Sequence, residues 1–407
     1  MKAEILAVGT EILLGDIVNT NAQFLSRRLF ELGIDMYYQT VVGDNPSRLK
    51  EAICLAFSRA DLVILSGGLG PTDDDLTKET VAEYFGVSLL FHEDIADEIK
   101  RYLNGRYPVS NQKQAYIPEG AIVLHNNYGT APGVILEKNG KTAVLLPGPP
   151  REIVPMFIES VEPYLKEKSD FVMESKVLRL FGIGEAKVGE IVSDLMEQSN
   201  PTVAPYAKDN EVTLRIAAKA KTSDEASRLI HSTQTEIEAR LGEYIYGYDE
   251  QDMVKTTATL LLEKGLTIAC AESCTAGKLT AALADVPGIS AALCESVVTY
   301  SNEAKMKYLS VSAKTLQKYG AVSRETAEEM ARGIQKASGC DIGVSVTGIA
   351  GPDGGTAEKP VGLVYVGICY QKEITILTLQ LHGNRDRVRQ GAVMHALNAI
   401  RKRILAK

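Results

Sequence analysis

Tryptophan is absent from this 407-residue sequence, and histidine occurs only five times. A histidine-based catalytic centre therefore has few candidates, and attention passes to Ser, Lys, Asp and Tyr. Cysteine is also sparse. Cys54, Cys270, Cys274, Cys294, Cys340 and Cys369 are scattered, with no CxxC pair and no histidine ladder nearby. That spacing speaks against structural zinc and for reduced, mostly buried thiols. No apolar run is long enough for a signal peptide or a membrane span, which predicts a cytoplasmic chain with no membrane partner. Positive charge is not in excess either. A net charge of −8 opposes a broad electrostatic grip on nucleic acid, which needs a basic face to replace counterions.

What is present is an ordinary globular composition, 45% hydrophobic and 24% charged, at a length that predicts two or three domains. Residues 1–170 alternate short apolar runs with helical patterns: Glu4–Val8, Val18–Leu32, Met36–Val42, Leu49–Phe57, Leu62–Leu65, and later Thr142–Leu146. This βαβ alternation predicts a mainly parallel sheet covered by helices, with ligands at the carboxyl ends of the strands. The loops after Val8, Val42 and Leu65 are the places to look. Residues 167–175 read as a linker, and 171–250 as a small α+β module with helices over Glu185–Met196 and Ser223–Leu241. Residues 251–407 read as a second α/β sandwich whose strand ends carry Ser273, Ser301 and Thr347. A helix is expected directly after Thr275, a strand over Ser296–Tyr300, then a helix pair up to Ser338.

Ser273 follows a buried strand and precedes a helix, so helix N-terminal N–H groups could serve it as an oxyanion hole. The same position suits a helix cap, a role for which Ser and Thr are preferred. Spacing alone leaves the two readings open. No histidine lies in the three strand-end loops, so the partner base falls to Lys305, at the start of the helix that leaves Tyr300-Ser301. A lysine base needs a pKa far below about 10.4, which requires desolvation or a neighbouring cation. The loop Val346-Thr347-Gly348-Ile349-Ala350-Gly351-Pro352-Asp353-Gly354-Gly355-Thr356 has the glycines for close backbone approach to a ligand, but no Walker ending.

In the first domain, Ser66-Gly67-Gly68-Leu69-Gly70-Pro71-Thr72-Asp73-Asp74-Asp75 leads from a strand to a helix, the geometry of a phosphate cradle. Its three carboxylates suit either a divalent cation bridging phosphate oxygens or an acidic helix start.

Four motifs in order, Ala271-Glu272-Ser273-Cys274-Thr275, Val298-Thr299-Tyr300-Ser301-Asn302-Glu303-Ala304-Lys305, Gly320-Ala321-Val322-Ser323 and Val346-Thr347-Gly348-Ile349-Ala350-Gly351-Pro352, resemble the C-terminal domain of the CinA family. Gly9-Thr10-Glu11-Ile12-Leu13-Leu14-Gly15, Asn19-Thr20-Asn21 and Pro147-Gly148-Pro149-Pro150-Arg151-Glu152, with the Gly67 loop, resemble the molybdopterin-binding fold of that family's first domain. The resemblance covers essentially the whole chain. It implies three domains: a molybdopterin-binding-like three-layer α/β domain over 1–170, a KH-like α+β domain over 171–250 without a GxxG clamp, and an α/β sandwich amidohydrolase domain over 251–407.

The activity it implies is deamidation of nicotinamide mononucleotide by Ser273 and Lys305 with Tyr300 in the proton network, without a cofactor. Thr347, Gly348 and Gly351 would line the pocket, and Arg385, Arg387 and Arg389 of the last helix are the candidates for the substrate's phosphate. For the first domain it implies metal-dependent hydrolysis of ADP-ribose, with Gly67, Gly68 and Thr72 near the phosphates and Asp73 and Asp75 beside a divalent metal. A homodimer is also expected. The competing classes are a non-catalytic competence or DNA-damage factor and a molybdopterin-handling protein. Two positions depart from the family pattern: Ala276 stands where Gly is common, and Asn384 where an acidic residue commonly precedes the arginine.

Overall fold

Runs such as Leu62-Val63-Ile64-Leu65 have no polar alternation, the pattern of strands covered on both faces. In the computed structural model, which describes residues 1–105, 107–169 and 171–406, they lie at the centre of a sheet. The strands of the first domain are β1 (Lys2–Val8), β2 (Asp35–Val42), β3 (Leu62–Ser66), β4 (Leu89–Phe91), β5 (Tyr116–Pro118), β6 (Ile122–Leu124), β7 (Gly133–Lys138) and β8 (Lys141–Leu146). Six of them form a sheet in the order β2-β1-β3-β8-β7-β6, and β4 pairs separately with β5. β2, β1, β3 and β8 run parallel, while β7 and β6 are antiparallel additions.

Leu49, Ile53 and Phe57 of the helix Pro46–Arg59 pack on one face with Val81 and Phe85 of Thr77–Phe85. Leu25 and Leu29 of Thr20–Glu31 pack on the other with Ile153 and Met156 of Pro150–Met156. The domain thus has three layers.

The chain divides into two compact units, Met1–Ser175 with Ala217–Ile230 and Lys176–Ile216 with His231–Lys407. The division passes through two strands of the middle module, β9 (Val172–Leu180) and β11 (Glu211–Ala220), which with β10 (Thr202–Lys208) and β12 (Ile245–Tyr248) form a sheet ordered β10-β11-β9-β12. Two expectations are corrected here. The residues read as a linker already enter β9 at Val172, and the helix expected over Glu185–Met196 is interrupted at Val192 into Glu185–Ile191 and Ser193–Met196.

The C-terminal module is a five-stranded sheet of β13 (Ile268–Glu272), β14 (Leu293–Val298), β15 (Ile342–Gly348), β16 (Leu363–Tyr370) and β17 (Glu373–Gln380), in the order β14-β13-β15-β16-β17. β13 is parallel to both neighbours, and β15, β16 and β17 are antiparallel. Side chains alternate across β13: Cys270 joins the core under the helices Met253–Glu263 and Arg385–Leu405, whereas Ala269 and Ala271 join Met330 and Ile334 of Arg324–Ser338. Three helices, Asn302–Leu309, Ala313–Tyr319 and Arg324–Ser338, stand where a pair was expected. Because β13 is an interior strand with a parallel neighbour on each side, its carboxyl end is a switch point where the chain leaves in opposite directions. Among the described residues no helix is long and apolar enough to cross a membrane.

Candidate active site

The chain leaves β13 through Ser273, which is 9% exposed and whose N–H still donates to Val346 O (2.9 Å). The helix expected after Thr275 starts only at Lys278, with Gly277 in the cap position at φ 89°. Ser273 is therefore not a helix cap. The turn between is tight: Ala276 N–H donates to Ser273 O (3.1 Å), and Ala276 sits at φ 50°, where a side chain costs about 1 kcal/mol. The expected oxyanion hole at this helix start is corrected as well. Leu279 and Thr280 N–H donate to the fully buried Glu272 carboxylate at 3.1 and 2.8 Å, and the Thr280 hydroxyl joins them at 2.6 Å. The helix terminus is already matched by the chain's own anion.

β14 ends at Val298, and the helix Asn302–Leu309 opens with Ser301 as its cap, accepting from Ala304 N–H (3.1 Å). This start directs Lys305 inward, where it is 1% exposed. Its Nζ lies 3.1 Å from Ser273 Oγ, 2.8 Å from Thr299 O and 3.2 Å from Tyr300 O. Burial pushes its pKa below the ordinary 10.5, against a smaller opposing effect of the Cys274 thiol. A neutral amine in this setting has two N–H groups for two carbonyls and one lone pair for the serine hydroxyl. Cys274, beside Ser273, is 5% exposed, and burial pushes its thiol up to about 11.

The other expected residues separate into near and far. Tyr300 meets Lys305 through its carbonyl only; its hydroxyl accepts from Arg385 Nη2 (3.2 Å), which corrects its expected place in the proton network. Arg385 Nη1 donates to Gly351 O (2.8 Å), so Arg385, Tyr300 and Gly351 form one rim. Thr347 is corrected: its buried hydroxyl donates to Ala321 O (2.8 Å) and is engaged in packing. At Gly348 a Cβ would run into Leu363 O and Val364 of β16, so packing alone requires glycine there. Arg387 is corrected too, being 64% exposed at its side chain and 3.7 Å from Asp209 of the middle module. Asn384 caps the terminal helix by accepting from Arg387 N–H (2.9 Å), a task an acidic residue performs equally well.

In the first domain, the ends of β1, β3 and β8 enclose a cleft of about 360 Å³ lined by Gly67, Gly68 and Thr72 together with Glu11, Asp44, Asp74, Asp75, Gln114 and Glu152. Gly67 and Gly68 both have positive φ, at 98° and 67°. Of the two residues expected beside a metal, Asp75 lines the cleft. Asp73 does not line the cleft, and the Asp75 carboxylate accepts from Thr72 N–H (3.0 Å) and from the Thr72 hydroxyl. Asp44 is held by Thr10, and Glu152 by Asn126 Nδ2 (2.8 Å). Among the described residues no three His, Cys, Asp or Glu side chains converge as a metal site, so the donor set does not fit a cation held by protein alone.

Sequence reasoning did not single out Glu11, Asp44 or Glu152. The signal was available, because Glu11, in the short helix Thr10–Leu14, and Asp44 follow the strand ends at Val8 and Val42. Behind the cleft, Lys78 is 3% exposed and donates to the carbonyls of Lys113 (3.2 Å), Gln114 (2.8 Å) and Tyr116 (2.9 Å); burial pushes it down to about 8.

Three families match in chain order: a probable molybdopterin binding domain over residues 4–167, a damage-inducible protein CinA KH domain over 175–247, and a CinA C-terminal domain over 250–404. A Clostridium novyi protein whose name includes the words competence-damage inducible protein is 56% identical over 411 residues, covering 100% of this chain and 99% of its own. A CinA-like protein of Dictyoglomus turgidum is 52% identical over 409 residues, covering 100% of both. Among solved structures, a CinA superfamily protein of Klebsiella pneumoniae matches with 33% identity over 39% of this chain and 99% of its own, at a TM-score of 0.38.

Proposed function

The chain belongs to the CinA family, and from that premise we propose that its C-terminal domain is a serine amidohydrolase that converts nicotinamide mononucleotide to nicotinate mononucleotide and ammonia. The observation that carries this reading is the buried pair: Lys305 Nζ, 1% exposed, 3.1 Å from Ser273 Oγ. Thr299 O and Tyr300 O fix two of the amine's hydrogens and leave its lone pair for the serine proton. Ser273 Oγ bonds to the carboxamide carbon as its proton passes to Lys305 Nζ. The tetrahedral intermediate collapses when Lys305 returns that proton to the departing nitrogen, releasing ammonia. Water, deprotonated by the same amine, then splits the ester to the carboxylate and free Ser273. The exposed guanidinium of Arg385, fixed to Tyr300 and Gly351, is the cation proposed for the phosphate.

The test incubates the full-length protein with nicotinamide mononucleotide and measures ammonia and the acid product. Ser273→Ala is expected to lower kcat by about a thousandfold or more. Full activity in that variant removes the mechanism, and an inactive wild type returns the chain to the class of binding proteins.

A second reading concerns the first domain, where the glycine-lined, acid-rimmed cleft supports hydrolysis of ADP-ribose to AMP and ribose 5-phosphate. No step is assigned to a metal, because among the described residues no three His, Cys, Asp or Glu side chains converge as a metal site. Turnover of ADP-ribose with and without added magnesium tests this reading. No product under either condition removes it in favour of a pterin-binding or otherwise non-catalytic domain.

A further inference from the structure

The guanidinium of Arg389 does not face the rim made by Arg385. Its Nε donates to Cys274 O (3.1 Å) and its Nη2 to Thr275 O (2.7 Å), two consecutive carbonyls of the loop that carries Ser273. In a trans peptide the N–H points opposite to the C=O. A cation gripping these oxygens from one side therefore turns the amides of Thr275 and Ala276 toward the other. Ala276 N–H closes the turn on Ser273 O, and Ser273 N–H is engaged by Val346 O. The N–H groups of Cys274 and Thr275 have no backbone acceptor among the described residues. They are the two amides that follow the nucleophile, where donors to a tetrahedral oxyanion are useful.

The competing donors at the start of Lys278–Ala284 are matched by Glu272. The loop also needs a restraint, because Ala276 at φ 50° favours departure from this conformation.

We propose that Arg389 is a positioning residue that, by holding the Cys274 carbonyl and the Thr275 carbonyl beside it, presents the Thr275 N–H to the oxyanion of the reacting carboxamide. This rests on the amide-hydrolysis reading of Ser273 and Lys305. It gives Arg389 no contact with a substrate phosphate.

Kinetics of full-length Arg389→Ala on nicotinamide mononucleotide and on nicotinamide riboside, the same amide without phosphate, separate the two roles. The expected result is a kcat lower by about ten- to a hundredfold, by the same factor on both substrates, with KM changed less than about threefold. Added guanidinium ion restores part of kcat. Arg389→Lys, which keeps the cation and the stem, is intermediate and carries the comparison if the alanine variant does not fold. Wild-type kcat in Arg389→Ala overturns the proposal, as does a loss confined to the phosphorylated substrate with raised KM.

The rate at which a fluorophosphonate probe labels Ser273 is read on the same proteins, since that attack uses the same amide but no nicotinamide pocket. A wild type that labels but hydrolyses neither substrate sinks the substrate reading alone. Slower labelling of the Arg389 variant then still supports the proposal, and equal labelling overturns it. A wild type that neither labels nor hydrolyses overturns both.

Discussion

Among the described residues two lysines lie buried beneath strand-end loops, one in each α/β domain, and they differ in a single partner. Lys78 donates to three carbonyls, so each ammonium hydrogen has an acceptor and no partner has a proton to give. Lys305 donates to two carbonyls and meets the hydroxyl of Ser273 at its third position. Burial lowers the pKa of both. Desolvation alone therefore does not mark a base. What marks it is a third partner that can hand over a proton, and by that criterion Lys78 is a staple for residues 113–116 while Lys305 is the proposed base.

The largest test of this contrast crosses the two substitutions. Lys305→Ala is expected to lower amide hydrolysis by about 10²–10⁴-fold, whereas Lys78→Met leaves it within about twofold, since it touches no group of the Ser273 site. Equal losses in both variants break the comparison.

Next in size is stability. Lys78→Met strips the cation from three carbonyls and is expected to cost about 2–4 kcal/mol in urea unfolding of the domain that contains it. A change below about 0.5 kcal/mol ends its role as a staple.

The two lysines also differ in what pH does. Lys78 titrates near 8 when folded and at 10.5 when unfolded, so the unfolded chain binds more protons between those values. Wild type should then gain stability relative to Lys78→Met as pH rises from about 8 to 10.5, with the charged-lysine penalty full below that window and absent above it. Lys305 shows its titration in turnover instead: kcat/KM should fall as pH drops through its lowered pKa, because the base must be neutral. A rate that is flat from acid to alkaline pH points to another base.

The smallest effect belongs to the nucleophile loop. Ala276→Gly relieves the positive φ and is expected to stabilise the C-terminal domain by roughly 0.5–1 kcal/mol, read as a higher thermal midpoint.

Much of this was legible in the residues. The alternation of Leu62-Val63-Ile64-Leu65 with helical patterns carries the parallel sheet, and the missing histidines turn the search for a base toward Lys305. Less legible was whatever depended on a single turn of chain. Ser273 was separable from a helix cap only once the helix started at Lys278, and Glu272 closes that helix by folding back over seven residues. Thr347 and Arg387 have the right residue types at strand and helix ends, yet one points at Ala321 O and the other at Asp209. Periodicity says which face of an element a residue occupies, not which hydrogen bond it makes. The carboxylate run was hard to read for a similar reason, since Asp75 is drawn into its own loop by Thr72.

The thiol beside Ser273 has a chemical consequence. With Cys274 buried and its proton retained to about 11, hardly any thiolate forms there at neutral pH. Peroxide and alkylating reagents would find the exposed Cys54 and Cys294 first. An amidase built on this serine should keep working through oxidative stress that disables cysteine-dependent enzymes, because its reactive oxygen has no oxidation ladder to climb.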